Sequence, residues 1–199
     1  MRIVAFGCSY TYGQGLIDCH LDNNTPGLKH SEFSWPSILA KKLNCDCINL
    51  SHPGYGNGAI LNSILNFEFL QDDIICVMWS FKNRDILFTY DGKSKNLGRW
   101  IKPWFIQQDL FDLSIKNYLH IHHAESYLKS NKIKYYFMDP DFYQDLGTLK
   151  PQWFKSISFV DIDFKTLEKS LPLALDNLHP GANFHLEVAE ILKKDIAGC

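Results

Sequence analysis

Residues 73–79 read Asp-Ile-Ile-Cys-Val-Met-Trp (DIICVMW). The unbroken apolar row from Ile74 to Trp79 predicts a strand covered on both faces, because a strand with one wet face alternates polar and apolar positions. Ile3–Phe6, Asp46–Leu50 and Lys132–Met138 read as three more strands. Segments with helical spacing lie between them. Ser34-Trp35-Pro36 looks like a helix start, with Ser34 as cap, Pro36 in the first turn and Asn44 as terminator. Ala59–Phe69 and Leu113–Ser130 follow, and Pro180–Lys194 closes the series with Phe184, Val188, Ile191 and Leu192 on one stripe.

Strand and helix therefore alternate four times. That order predicts an α/β fold, a three-layer doubly wound sandwich with a mainly parallel sheet, in one domain over residues 1–199. Sheets of this kind bind ligands beyond the carboxyl ends of their strands. The loops after Phe6, Leu50 and Trp79 should gather there. Thr11–Phe33 reads as a long polar loop, and Ser156–Ile162 is a candidate fifth strand. Residues 84–112, broken by Gly92, Gly98 and Pro103 but carrying Trp100, Trp104 and Phe105, read as an irregular insertion or lid.

Bulk properties narrow the function. The chain has 199 residues, 46% hydrophobic and 21% charged, with a formal net charge of -2. This is the balance of an ordinary globular protein, and no Lys/Arg run exceeds two residues, so nucleic acid is not an expected partner. The apolar stretch after Arg2 is too short for a signal peptide and no run could span a bilayer, so no membrane partner and a cytoplasmic location are expected. The six cysteines lack a disulfide-framework context, and Cys45-Asp46-Cys47 lacks the paired knuckles of a zinc site. His120 and His123 share a helix face, but no carboxylate completes a ligand set. No metal and no cofactor is expected.

The three loops carry chemistry. Ser9 follows the first strand by three residues, which sets a hydroxyl at the mouth of the site. Serine needs a base to take its proton, and a carboxylate to hold that base. Asp176-Asn177-Leu178-His179, before the last helix, offers both. Backbone N–H groups at Ser9 and Gly54 are candidate donors for an oxyanion. Cys8 is a rival nucleophile, but neighbouring side chains in an extended loop point apart, and packing suits a small thiol.

Together these pieces resemble the SGNH (GDSL-like) hydrolase family. Gly7-Cys8-Ser9 stands where that family has Gly-Asp-Ser, Asn49 and Gly54 match its second block, and Asp176-x-x-His179 matches its last. The resemblance implies a flavodoxin-like fold, with Ser9 as nucleophile, His179 as general base, Asp176 as its orienter, and Ser9 and Gly54 as oxyanion donors. The third block, usually Gly-x-Asn-Asp, is replaced by Met78-Trp79-Ser80-Phe81-Lys82-Asn83-Arg84. Asn83, Ser80 or Arg84 could replace the missing asparagine, or that donor is absent. Ser80 and Arg84 are also candidates for binding substrate.

The resemblance implies a serine esterase acting on a small O-acyl ester, for example an O-acetyl group on a carbohydrate. Two other readings stay open. An O-acyltransferase would use the same residues with water excluded, and a non-catalytic binding module would keep the pocket without the oxyanion hole.

Overall fold

The structure is a computed structural model that describes residues 1–21, 25–88, 94–97, 110–140 and 157–198. Its main sheet contains β1 (Arg2–Phe6), β4 (Asp46–Asn49), β5 (Asp73–Met78) and β8 (Lys134–Met138), hydrogen-bonded in the order β4-β1-β5-β8. Every pairing is parallel. In chain order this is 2-1-3-4, the arrangement of flavodoxin-like sheets, whose switch point falls between β1 and β5. The candidate fifth strand supplies one parallel bridge, Phe159 to Phe137, with Val160 N–H donating to the Phe137 carbonyl at 2.8 Å. Residue 156 lies outside the described residues.

The continuous apolarity of β5 has the expected cause. Ile75 and Val77 join Val4 and Phe6 on one face, packed against α3 (Asn57–Leu65) and α4 (Leu110–Ser130) through Ile60, Ile64, Tyr118 and Ile121. Ile74, Cys76 and Met78 join Ile3 and Ala5 on the other. There they meet α2 (Trp35–Leu43) through Trp35 and Leu39, α5 (Phe164–Ser170) through Phe164, and α6 (Ala182–Ala197) through Phe184, Val188 and Leu192. Alternate residues of β5 thus feed two separate cores, and all six of its positions are buried.

Several local expectations change. The segment after β1 begins as a short helix, α1 (Ser9–Tyr12), rather than an extended loop, and the stretch beyond it forms a small antiparallel pair, β2 (His20–Leu21) with β3 (Thr25–Pro26). Ser34 occupies the N-cap of α2 but makes no cap bond, because its hydroxyl donates to the Ser31 carbonyl at 2.6 Å. The last helix starts at Ala182, with Gly181 as N-cap. Within 84–112, β6 (Asp85–Phe88) pairs antiparallel with β7 (Ser94–Leu97). Trp100, Trp104 and Phe105 lie outside the described residues. No helix among the described residues is long and apolar enough to cross a membrane.

Candidate functional site

The loops after β1, β4 and β5 open at the carboxyl edge of the sheet. Ser9 is the first residue of α1, and Cys8, its N-cap, uses its carbonyl to accept from the N–H groups of Thr11 at 3.1 Å and Tyr12 at 3.0 Å. Ser9 is 2% exposed, and its Oγ has no hydrogen-bond partner among the described residues. A buried hydroxyl without a partner costs about 1–3 kcal/mol, so its presence calls for a reason.

Asp176 and His179 meet in the turn that precedes α6. Asp176 Oδ2 lies 2.6 Å from His179 Nδ1, while Oδ1 accepts from the backbone N–H groups of Leu178 and His179, each at 3.0 Å. Asn177 takes a left-handed backbone, φ 55°, which tightens the turn enough for this contact. Burial pushes the Asp176 carboxyl up, but the His179 and Leu178 N–H groups and the His179 ring outweigh it and hold it below its ordinary value. With Nδ1 engaged by a carboxylate, Nε2 is the ring nitrogen left to act as a base.

Two contacts bring this pair to the Ser9 loop. The Tyr10 ring, next to Ser9, stands edge-on to the His179 ring with centroids 6.0 Å apart. Gly15 lies against the Asp176 carboxylate, and its carbonyl accepts from Leu175 N–H at 3.0 Å. Tyr10 also hydrogen-bonds Glu168 on α5. Burial first, and Glu168 second, push its phenol pKa up. A cleft of about 230 Å³ opens beside these residues, walled by Tyr10, Leu171, Pro172, Leu178, Pro180 and Phe184. A larger cleft, about 510 Å³, lies at the other end of the sheet among Leu65, Phe67, Phe69 and Tyr127. Ser9, Asp176 and His179 line neither cleft, but the smaller one is walled by their chain neighbours Tyr10, Leu178 and Pro180.

The second loop is tied to the first. Asn49 Nδ2 donates to the Thr11 carbonyl at 3.0 Å, and its Oδ1 accepts from Ser51 N–H at 3.1 Å and Ser51 Oγ at 2.5 Å. His52 N–H donates to the Gly7 carbonyl at 3.3 Å. Gly54 follows with φ 82°, and a β-carbon there would meet nothing within 4 Å, so the loop is open on that side.

The third loop is held by asparagines that sequence reading missed. Asn57 Oδ1 accepts from Ser80 N–H at 2.6 Å and its Nδ2 donates to the Ser80 carbonyl at 3.1 Å. Asn117 Nδ2 donates to the Lys82 carbonyl at 3.0 Å. Ser80 is buried, and its backbone is therefore engaged with Asn57. Asn83 is half-buried in the turn that follows. The Arg84 guanidinium stacks on the Phe81 ring at 4.9 Å, and Phe81 meets Tyr10 edge-on at 5.5 Å. Arg84 is thereby brought toward the Ser9 side, whereas no contact joins Asn83 to Ser9 among the described residues. Asn57 follows the Gly-rich turn directly, which is a faint signal at most. His185, also missed, had a clearer one: a polar side chain on the apolar stripe of α6.

Among the described residues, no cluster of three or more His, Cys, Asp or Glu side chains could hold a metal. His120 is half-buried, and burial pushes its ring pKa down, against the pull of Asp85. Cys8, Cys19 and Cys76 are buried free thiols, and Cys45 and Cys47 are half-buried.

No family model and no curated protein matches the sequence. The fold does match solved structures. One is a carbohydrate esterase whose active site is described as having divergent catalytic and non-catalytic binding functions: TM-score 0.60, 15% identity, over 98% of this chain and 68% of that one. Another is a member of the lipolytic protein G-D-S-L family from Veillonella parvula: TM-score 0.55, 14% identity, over 99% and 98%. A third is an acetyl xylan esterase from the rumen bacterium Butyrivibrio proteoclasticus: TM-score 0.56, 14% identity, over 99% and 64%. The chain has the fold of the SGNH (GDSL-like) hydrolases.

Proposed function

We propose that the protein is a serine esterase of SGNH type. Ser9 Oγ attacks the carbonyl carbon of an ester while His179 Nε2 takes its proton. The oxyanion that forms is met by the backbone N–H groups of Ser9 and Gly54. His179 returns the proton to the departing alkoxide, leaving an acyl group on Ser9. Water, deprotonated by His179, then releases the acid. Asp176 keeps the proton on Nδ1 and stabilises the imidazolium that forms.

The observation that carries this reading is the 2.6 Å Asp176–His179 contact, with the His179 ring edge-on to Tyr10, the residue next to a buried Ser9 hydroxyl that has no partner among the described residues. The substrate class follows from size and likeness. The cleft of about 230 Å³ next to Tyr10, Leu178 and Pro180 is small, which is compatible with a small acyl group. Carbohydrate esterases among the structural neighbours favour an O-acyl sugar, such as an O-acetyl. The same residues would transfer the acyl group to another hydroxyl if water were kept out.

One observation favours a second reading, a binding module without turnover. Asn57 occupies the Ser80 N–H and carbonyl at the loop where the family's third block would sit. Labelling with a fluorophosphonate separates the two. The esterase reading expects label on Ser9, none in Ser9→Ala, and p-nitrophenyl acetate hydrolysis that falls about 10³-fold or more in Ser9→Ala and His179→Ala. An unlabelled wild type with rates equal to those of both variants would sink it.

A further inference from the structure

His185 lies on α6, six residues beyond His179, and is 1% exposed. Its Nδ1 accepts from the Trp35 backbone N–H at 3.1 Å, across 150 positions of sequence. Trp35 is the first residue of α2, whose own N-cap side chain makes no cap bond. The imidazole therefore supplies the acceptor that this buried helix start would otherwise lack. The His185 backbone N–H donates to the carbonyl of Gly181, two residues beyond His179, at 3.5 Å, and the Pro180 carbonyl is a further acceptor near the ring. A ring whose Nδ1 accepts from a backbone N–H is the neutral tautomer, with its proton on Nε2. Burial pushes the His185 pKa down to about 3, the nearby His179 adds to that, and the Pro180 carbonyl works against it.

Pro180 is the residue directly after His179, and it forms an antiparallel bridge with Leu173. The loop carrying His179 is thus held at Pro180 from two sides. We propose that His185 is a positioning residue for His179: its neutral imidazole ties the backbone next to His179 to the start of α2, and so fixes where the His179 ring stands relative to Ser9. This rests on the Ser9–His179–Asp176 reading. The plainer alternative is a buried cap that stabilises α2 and does nothing for the reaction. The two differ in what they do to kinetics, since a misplacement of about 1 Å can cost about 10²-fold in rate.

The test compares His185→Phe, which fills the space but makes neither bond, with His185→Gln, which keeps an acceptor and a donor. The probe is p-nitrophenyl acetate over pH 5–9, at a temperature where circular dichroism shows each variant folded. Positioning expects kcat in His185→Phe to fall about 10–100-fold with KM within about twofold. It also expects a shifted acid limb of the kcat profile, with His185→Gln restoring most of both. Wild-type kcat and acid limb in folded His185→Phe, whatever its melting temperature, would make the residue a cap only. If His185→Phe does not fold, His185→Asn takes its place. It keeps the acceptor for Trp35 but does not reach Pro180, and wild-type kinetics there would likewise overturn the proposal. Fluorophosphonate labelling of wild-type Ser9 is run alongside. No label overturns both readings, whereas label with unchanged His185 variants overturns the positioning role alone.

Discussion

Gly15 leaves the Asp176 carboxylate no room to spare: a β-carbon at position 15 would stand 2.6 Å from Asp176 Cγ and 2.7 Å from each carboxylate oxygen. Its backbone is also left-handed, φ 87°. Gly15→Ala therefore meets both a clash and a strained backbone, and the group that must give way is the one that orients His179. The expected result is a kcat loss of about 10²-fold together with destabilisation of about 1–3 kcal/mol. Gly198→Ala is the control. It has the same backbone problem, φ 74°, but empty space around the new methyl group. Its destabilisation should be similar and its effect on the Asp176–His179 pair nil, which urea melts and a pH–rate profile would separate.

Asp176 has two jobs that one substitution can part. Asparagine keeps an oxygen for the Leu178 and His179 N–H groups but turns an amide N–H₂ toward His179 Nδ1. The imidazole would then favour the wrong tautomer. Asp176→Asn should fold with little change in melting temperature while kcat drops about 10³–10⁴-fold. A rate near wild type would show that His179 is not the base.

The acid side of the stability profile should bear the mark of His185. Its folded pKa, about 3, lies below the ordinary histidine value of 6.5. The unfolded chain therefore binds the extra proton between those values. Stability from this residue is complete above about pH 6.5 and is lost as pH falls toward 3, by roughly 1.4 kcal/mol per unit. Half-buried His120, also lowered, acts in the same direction. Asp176, held low in the fold, adds its own loss only as pH falls below about 4. Urea unfolding at pH 7, 6 and 5 should give a smaller slope for His185→Gln than for wild type. Equal slopes would contradict the neutral buried ring.

Asn57 clamps Ser80 by both backbone groups inside the protein. Asn57→Ala should leave a buried N–H and carbonyl unpaired and cost about 2–5 kcal/mol. It should also loosen the turn that carries Arg84. If Arg84 contacts substrate, KM rises in the folded variant. An unchanged KM would place Arg84 outside the binding site.

Much of the fold was legible because its signals are local and repeated. The DIICVMW run could only be a strand packed on both sides, and the split of its residues between two cores is what that pattern implies. The spacing of Asp176 and His179 likewise allowed a direct contact within one turn. What escaped reading depends on partners far away in sequence. Ser34 looked like a helix cap because its type suits one, yet the acceptor for α2 comes from His185. Nothing near Trp35 announces that. The short helix at Ser9 was missed because four residues are too few for periodicity to register. Gly15 looked like one more loop glycine until Asp176 was seen against it.

The two chemical halves of the site come from opposite ends of the β1–α6 order. His179 leaves the ribosome 170 positions after Ser9. At about 5–20 residues per second, translation separates them by roughly 10–30 s. During that interval β1 can already pair with β4 and β5, while the serine has neither base nor orienting carboxylate. On the proposed esterase reading, reactivity is therefore timed by synthesis: no acyl group can be taken up until the turn before α6 has been made.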